Sequence, residues 1–266
     1  MRDSLLRERL LVLAPTGAAC FSRPRWLRSP WALLAREPLV ELDWLDANRL
    51  GGRLLELVKA ANVGDAGMQV LVSDRLCRFF MVTPPLNSAG LGDLEAAARA
   101  RHTGLFGLTT GWQIRADWDS MRPFLASSLP IAISSALDML QSVAGVTCYR
   151  VQPHYVESVN HWNKQIGEGE WFGLLEGTHL TLGVVHDSSL VALRATWLVP
   201  EVLGSAEELS RFIAQEALRM GEQVPTLLKL AGDVPAAWVG RAPARSGCVR
   251  LTRLNGNLFA MAEGRA

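Results

Sequence analysis

The chain has 266 residues, 49% hydrophobic and 20% charged, with a formal net charge of +1. That is enough apolar material for a real core in one large domain or two modest ones. The near-neutral balance gives no global pull toward nucleic acid or acidic lipid, and no uncharged stretch approaches the ~20 apolar residues of a membrane-spanning helix.

Read in order, Leu10 to Ala14 and Ala18 to Ser22 form a strand pair joined by a Pro-Thr-Gly turn. Arg23 to Glu37, with two prolines and two tryptophans, reads as irregular, and Leu39 to Leu42 as a third strand. Asp46 then caps a helix whose Leu50, Leu54, Leu55 and Val58 share a face. Gly51 and Gly52 each cost that helix about 1 kcal/mol against alanine, which points to a close packing contact or a bend. Met68 to Ser73 and Leu76 to Val82 are β-rich runs. Leu94 to His102 is an alanine-rich helix stopped at Gly104, and Gln113 to Trp118 alternates as a strand.

Ser135 with Asp138 has capping-box spacing for a helix ended by Gly145, and Val146 to Val151 follows as a strand. Pro153 to Ile166 reads as a helix. The stretch Trp171 to Val199 holds three strand-length runs with polar breaks at Gly177 to His179 and Asp187 to Ser189, a three-stranded meander. The helices on either side are expected to cover one face of it. Ser205 with Glu208 caps the second of these, with Leu209, Phe212, Ile213, Ala217 and Met220 as its apolar stripe. Thr226 to Leu230 and Val249 to Leu254 supply the last short strands. Strand hairpin, capped helix and short strand thus occur in both halves, as in a duplicated α/β architecture around a central cleft.

Few residues suggest chemistry. Cys20, Cys77, Cys148 and Cys248 are far apart and include no CxxC, so free buried thiols are the expectation. His154 and His161 share a helical face but lack HxxxH or HExxH spacing, and ordinary histidines outweigh a zinc pair. Asp117 and Asp119 flank Trp118 and read as solvated carboxylates. Ser73-Asp74, Ser134-Ser135 and Ser188-Ser189 lack a nucleophile-elbow setting and read as turn or cap residues. Trp26, Trp31 and Trp44 lie near Arg23, Arg25 and Arg28, which fits either an interface or core packing. Gly17-Ala18-Ala19-Cys20 resembles a lipoprotein cleavage site, but Asp3, Glu8, Pro15 and the glycine itself argue against export.

With these pieces placed, the order resembles the actin-like (ribonuclease H-like) ATPase fold, and within it the PilM family of type IV pilus assembly and the cytoplasmic GspL domain of type II secretion. The resemblance rests on the strand pair VLVSDRLCRFFMV (Val70 to Val82), the turn Thr83-Pro84-Pro85, the helix LEAAARARHTGLFG (Leu94 to Gly107), WQIRADWDSMRPFL, IAISSALDMLQSVAG, and VQPHYVESVNHW leading to the meander. It implies a first subdomain over residues 1–145, with a small subdomain inserted at about 74–118, and a second over 146–266.

In that fold two hairpins carrying Asp-x-Gly hold magnesium nucleotide. By position they read here Leu13-Ala14-Pro15 and Leu175-Glu176-Gly177, so both aspartates are gone, Leu13 and Leu175 stand in their place across the cleft, and Pro15 has no amide hydrogen for a phosphate. The glycine-lined adenosine region reads Leu230-Ala231-Gly232-Asp233. The resemblance therefore implies a pseudo-ATPase without catalytic, metal-binding or cofactor-binding residues. It would be a cytoplasmic scaffold docking the short cytoplasmic tail of a membrane-anchored pilus or secretion protein and linking it to the motor ATPase, without nucleic acid and without a span of its own. The alternative is an active ATPase or kinase binding nucleotide through Glu176 and Gly177.

Overall fold

The computed structural model describes residues 7–25, 29–64, 67–186, 189–238, 247–251 and 258–265, with 247–250 as backbone alone. In chain order the elements are β1 (Arg7–Ala14), β2 (Gly17–Pro24), β3 (Ala32–Pro38), α1 (Ala47–Ala60), β4 (Met68–Val72), β5 (Arg78–Val82), α2 (Leu91–Phe106), β6 (Trp112–Ala116), β7 (Phe124–Pro130), α3 (Ile131–Ala144), β8 (Cys148–Pro153) and α4 (His154–Trp162). They continue with β9 (Trp171–Glu176), β10 (His179–His186), β11 (Ser189–Trp197), α5 (Pro200–Gly204), α6 (Ala206–Met220), β12 (Leu227–Gly232), β13 (Gly247–Arg250) and α7 (Leu258–Glu263).

Two five-stranded sheets have the same order, β3-β2-β1-β4-β8 and β11-β10-β9-β12-β13. In each, an antiparallel hairpin leads into parallel neighbours. This is the duplication expected from the sequence: mixed sheets with flanking helices about a central cleft. The first sheet buries Leu11, Leu13, Ala18 and Cys20 against α1 and α3. Its other face buries Leu10, Val12, Ala14 and Phe21 against Leu258, Phe259 and Ala262 of α7. The second sheet repeats the plan, with Leu175, Leu180 and Leu182 against α6 and Phe172 and Leu174 against Tyr155 and Trp162 of α4. Each half thus lends one helix to the other, α4 to the second sheet and α7 to the first. The meander is accordingly covered on both faces, not on one.

Local chemistry explains several boundaries. The Asp46 side chain accepts from the amides of Asn48 and Arg49, which starts α1. A Cβ at Gly51 would sit 2.5 Å from Met139 Sδ, so the glycine lets α1 and α3 pack closely, as the sequence implied. Gly145 ends α3 in the left-handed conformation, and the Ser205 hydroxyl accepts from the Glu208 amide to start α6.

Other expectations need correction. The third strand is Ala32–Pro38, inside the stretch read as irregular, because it pairs along β2 despite being a mostly exposed edge. Glu41–Leu45 is instead a 3-10 turn. Helix α3 begins at Ile131, directly after Pro130, so Ser135 is an interior residue and not a cap. The inserted subdomain is the sheet β5-β7-β6 with α2, spanning residues 78–130 and not 74–118. The first half also extends past residue 145, since β8 pairs with β4, and α7 returns to it from the far end of the chain. Trp26, Arg28, Asp187, Ser188 and Leu254 lie outside the described residues.

Candidate functional site

The hairpin ends of β1-β2 and β9-β10, the segment after β4 and the start of α4 meet at the seam between the halves. Both hairpins turn in two residues, Pro15-Thr16 and Gly177-Thr178. Leu13 and Leu175, expected across the cleft from each other, instead point outward into separate cores, Leu13 toward α1 and α3 and Leu175 toward α6. Side chains alternate along a strand, so the residues facing the seam side are the next ones, Ala14 and Glu176.

Glu176 is almost fully buried and spoken for. Its Oε2 accepts from Ser73 Oγ and its Oε1 from His154 Nδ1, both at 2.5 Å. Burial pushes this carboxyl up, but the hydrogen bonds from His154 and Ser73, together with the charge of His154, outweigh it and hold it below the usual range. Asp74, wholly buried, accepts from the Tyr155 amide at the start of α4 and from Thr181 Oγ1 of β10, each at 2.9 Å. Burial and then the neighbouring Glu176 push the Asp74 carboxyl well above the usual range, although both hydrogen bonds oppose this. The imidazole of His154 also stacks on Phe259 of α7 at 4.3 Å between centroids.

The Ser73 hydroxyl does accept from the Arg75 amide in a turn, as read from sequence, but its bond to Glu176 spans 103 residues and left no local signal. The same holds for Asp74 and Thr181, 107 residues apart.

The amides that a phosphate would need are also committed. Gly177 donates its amide to Asp233 Oδ2 at 2.8 Å, so a fixed carboxylate already holds that donor. Asp233 in turn donates its own amide to the Leu175 carbonyl. At the first hairpin Pro15 has no amide hydrogen, its carbonyl accepts from Trp44 Nε1 at 2.9 Å, and Gly17 packs so closely on the Ala262 carbonyl of α7 that no Cβ would fit. These residues do not fit a magnesium nucleotide: the one seam-facing carboxylate of the hairpins is buried and already engaged on both oxygens, one turn lacks its donor, and the other has a carboxylate on it.

Of the adenosine-region stretch, Gly232 has φ +88 and lies against the Leu175 backbone, where a Cβ would overlap the carbonyl oxygen. Gly232→Ala is expected to cost about 3 kcal/mol, from left-handed strain plus a backbone clash, and urea denaturation would measure it.

The remaining candidates separate. Asp119 accepts from the amides of Met121 and Arg122, which lowers its pKa, and Trp118 packs on Phe124. His154 serves Glu176 while His161 lies edge-on to Trp162, and among the described residues no group of three His, Cys, Asp or Glu is arranged to hold a metal. Ser134 bonds back to the Ile131 carbonyl. Cys20, Cys77 and Cys148 are free thiols; burial pushes Cys20 up to about 12 and Cys148 up to about 11, away from thiolate chemistry. Cys20 sits in the buried strand β2. Trp44 is core, and Trp31 lies under the Arg23 guanidinium at 4.3 Å.

A second feature lies on the other side of α4. A cleft of about 620 Å³ opens between the inserted subdomain, the free edge of β8 and α4, lined by Arg115, Asp117, Phe124, Val151, Val156 and Asn160 among others. It meets a smaller one of about 250 Å³ at Val159 and Leu190. No helix among the described residues is long and apolar enough to cross a membrane.

No family model and no curated protein sequence matches the chain. Solved structures do. A Bacteroides thetaiotaomicron protein of actin-like ATPase fold and unknown function aligns with TM-score 0.60 at 7% identity, over 98% of this chain and 96% of that one. The cytoplasmic domain of EpsL, an inner-membrane component of the Vibrio cholerae type II secretion system, aligns with TM-score 0.55 at 12% identity, over 92% and 90%. The PilM-PilN type IV pilus biogenesis complex aligns with TM-score 0.54 at 13% identity, over 92% and 88%. At such identities the likeness is one of fold: the mixed sheets with flanking helices are those of an actin-like ATPase fold.

Proposed function

We propose that the chain is a non-catalytic scaffold of a type IV pilus or type II secretion-like assembly platform, docking the cytoplasmic tail of a membrane-anchored partner and linking it to the motor. The observation that carries the non-catalytic half of this reading is the saturation of the seam: Glu176 is bound by Ser73 and His154, and the Gly177 amide by Asp233. Phosphoryl transfer depends on a metal and on donors free to meet developing charge, and these groups are already engaged within the protein.

The docking half is supported by the likeness of fold to EpsL and to PilM in its complex with PilN, and by the cleft beside α4. β8 is the outer strand of its sheet, with Tyr149 and Val151 exposed, so an extended tail can add to it by backbone hydrogen bonds. Val151, Val156, Val159 and Leu190 offer apolar seats for alternate side chains, and Arg115, Asp117 and Arg122 a charged rim.

The test of the first half is calorimetry with magnesium ATP, backed by thermal melting: no heat and an unchanged Tm are expected. Binding at micromolar concentrations would stabilise the fold by RT ln(1 + [L]/Kd), about 2.7 kcal/mol at a hundredfold excess over Kd, and would overturn the reading.

A further inference from the structure

The buried polar cluster at the seam is not needed for docking at the cleft beside α4, and its layout suggests a separate role. Ser73 and Asp74 come from the first half, Glu176 and Thr181 from the second, and His154 and Tyr155 from the helix that crosses between them. Four hydrogen bonds join these three parts, two on each carboxyl group. Both carboxyls are shut off from solvent, Asp74 at 0% exposure and Glu176 at 4%.

We propose that this cluster is a proton-dependent clasp: the halves stay closed while Asp74 keeps its proton, and the seam loosens when that proton leaves and two buried anions face each other across it.

The groups around the clasp support that sign. Glu176 on β9 is the ionised member, with His154 of α4 upon it. His179 of β10 also faces Glu176: burial holds the imidazole below its usual value and Arg75 adds to this, while the Glu176 carboxylate opposes it. Arg75, the next residue after Asp74, is turned to Glu263 of α7 at 2.9 Å and to the Trp197 ring. The Cys77 thiol, the Tyr155 hydroxyl and Thr181 complete the surroundings; burial pushes the thiol and the phenol well up, so neither contributes charge. An aspartate whose native pKa is raised contributes stability that is fully present below its ordinary range and is lost as pH rises through the raised native value. The clasp therefore opens toward alkaline pH.

The test is backbone amide exchange of Tyr155, which donates to Asp74, followed across a pH series from mildly acidic to mildly alkaline and corrected for the intrinsic rate, with small-angle scattering on the same samples. Protection at Tyr155 is expected to fall by up to about tenfold per unit of pH while the closed form still holds the Asp74 proton and the open form has lost it, and to level off above the closed-form titration, while scattering reports a wider cleft and far-ultraviolet circular dichroism holds constant. Asp74→Asn, which mimics the protonated group, should flatten both curves. Thr181→Val removes a hydrogen bond that favours the ionised form and should move the transition to higher pH. A wild-type series with constant protection overturns the proposal without recourse to any variant, as does an Asp74→Asn protein that opens like the wild type, or a Thr181→Val transition displaced to lower pH.

Discussion

Leu13→Asp is expected to unfold the first half of the molecule, not to rebuild a metal site. The resemblance read from the sequence sets Leu13 where a nucleotide-binding hairpin of this fold carries an aspartate, and restoring the carboxylate is the obvious experiment. Leu13, however, has no exposure and lies among Leu50, Leu54, Ile133 and Leu137 on the face of β1 that α1 and α3 cover. A carboxylate there would meet no cation. It would either stay ionised at a large desolvation cost or take up a proton and remain an unsatisfied polar group. The expected loss is about 4 kcal/mol or more, a large share of a domain's ordinary stability. Urea denaturation would measure it, alongside a magnesium ATP titration of whatever folded fraction remains. A folded Leu13→Asp protein that gained nucleotide affinity would show that the strand faces the seam with the other parity, and the account of the hairpins would fall with it.

That parity was not legible in the sequence, and the reason is physical. A strand buried on one face betrays its orientation by alternation, but β1 is buried on both faces from Leu10 to Ala14, so no residue type marks the seam side. A one-residue error in reading then turns every side chain to the wrong core. The second hairpin is the same: all six residues of β9 are buried. What was legible depended on local chemistry. Asp46 and the Ser205-Glu208 pair bond amides two or three residues away, and Gly145 adopts the one backbone conformation that favours glycine, so each acts within a single turn.

The parts that escaped detection are those decided by distant partners. β7 contains Ala126, Ser127 and Ser128, which read poorly as a strand, yet it is central to its small sheet and is held on both sides by β5 and β6. α7 has six residues, too few to stand as a helix alone, and is fixed by packing on β1 and β2. Ser73-Asp74 was read as a turn, which it is locally; its bonds to Glu176 and Thr181 exist only because the two halves close on each other. The candidate site was thus visible as a degenerate hairpin pair, whereas the cluster that saturates it was visible only in three dimensions.

Asn160→Trp is expected to abolish tail docking while leaving stability nearly unchanged, and it separates the scaffold reading from the fold on which it rests. Asn160 is exposed on α4 and borders the cleft of about 620 Å³ between the inserted subdomain and the edge of β8. An indole at this position occupies space that an extended tail would need and cannot be displaced without exposing its ring. Surface substitutions away from caps and buried networks usually shift stability by no more than about 0.5 kcal/mol, so the melting curve should barely move. Binding should fall by about a hundredfold, since one clash in the centre of a narrow cleft removes the neighbouring contacts together.

The measurement begins with a photo-crosslinking amino acid at position 160, used in membrane extracts to trap a single-span protein through its cytoplasmic tail and to map the bonded residue by mass spectrometry. A synthetic peptide of that tail then supplies affinities for the wild-type and Asn160→Trp chains. Trapped peptides from soluble enzymes only, or a tail that binds both chains equally, would place the partner elsewhere on the surface and remove the cleft beside α4 from the mechanism. A hundredfold loss at constant Tm would instead tie the partner to the one groove that the first sheet, the inserted subdomain and the crossing helix build jointly. That would also give the closed seam a physical purpose: it holds those three elements at a fixed spacing, and the groove depends on that spacing.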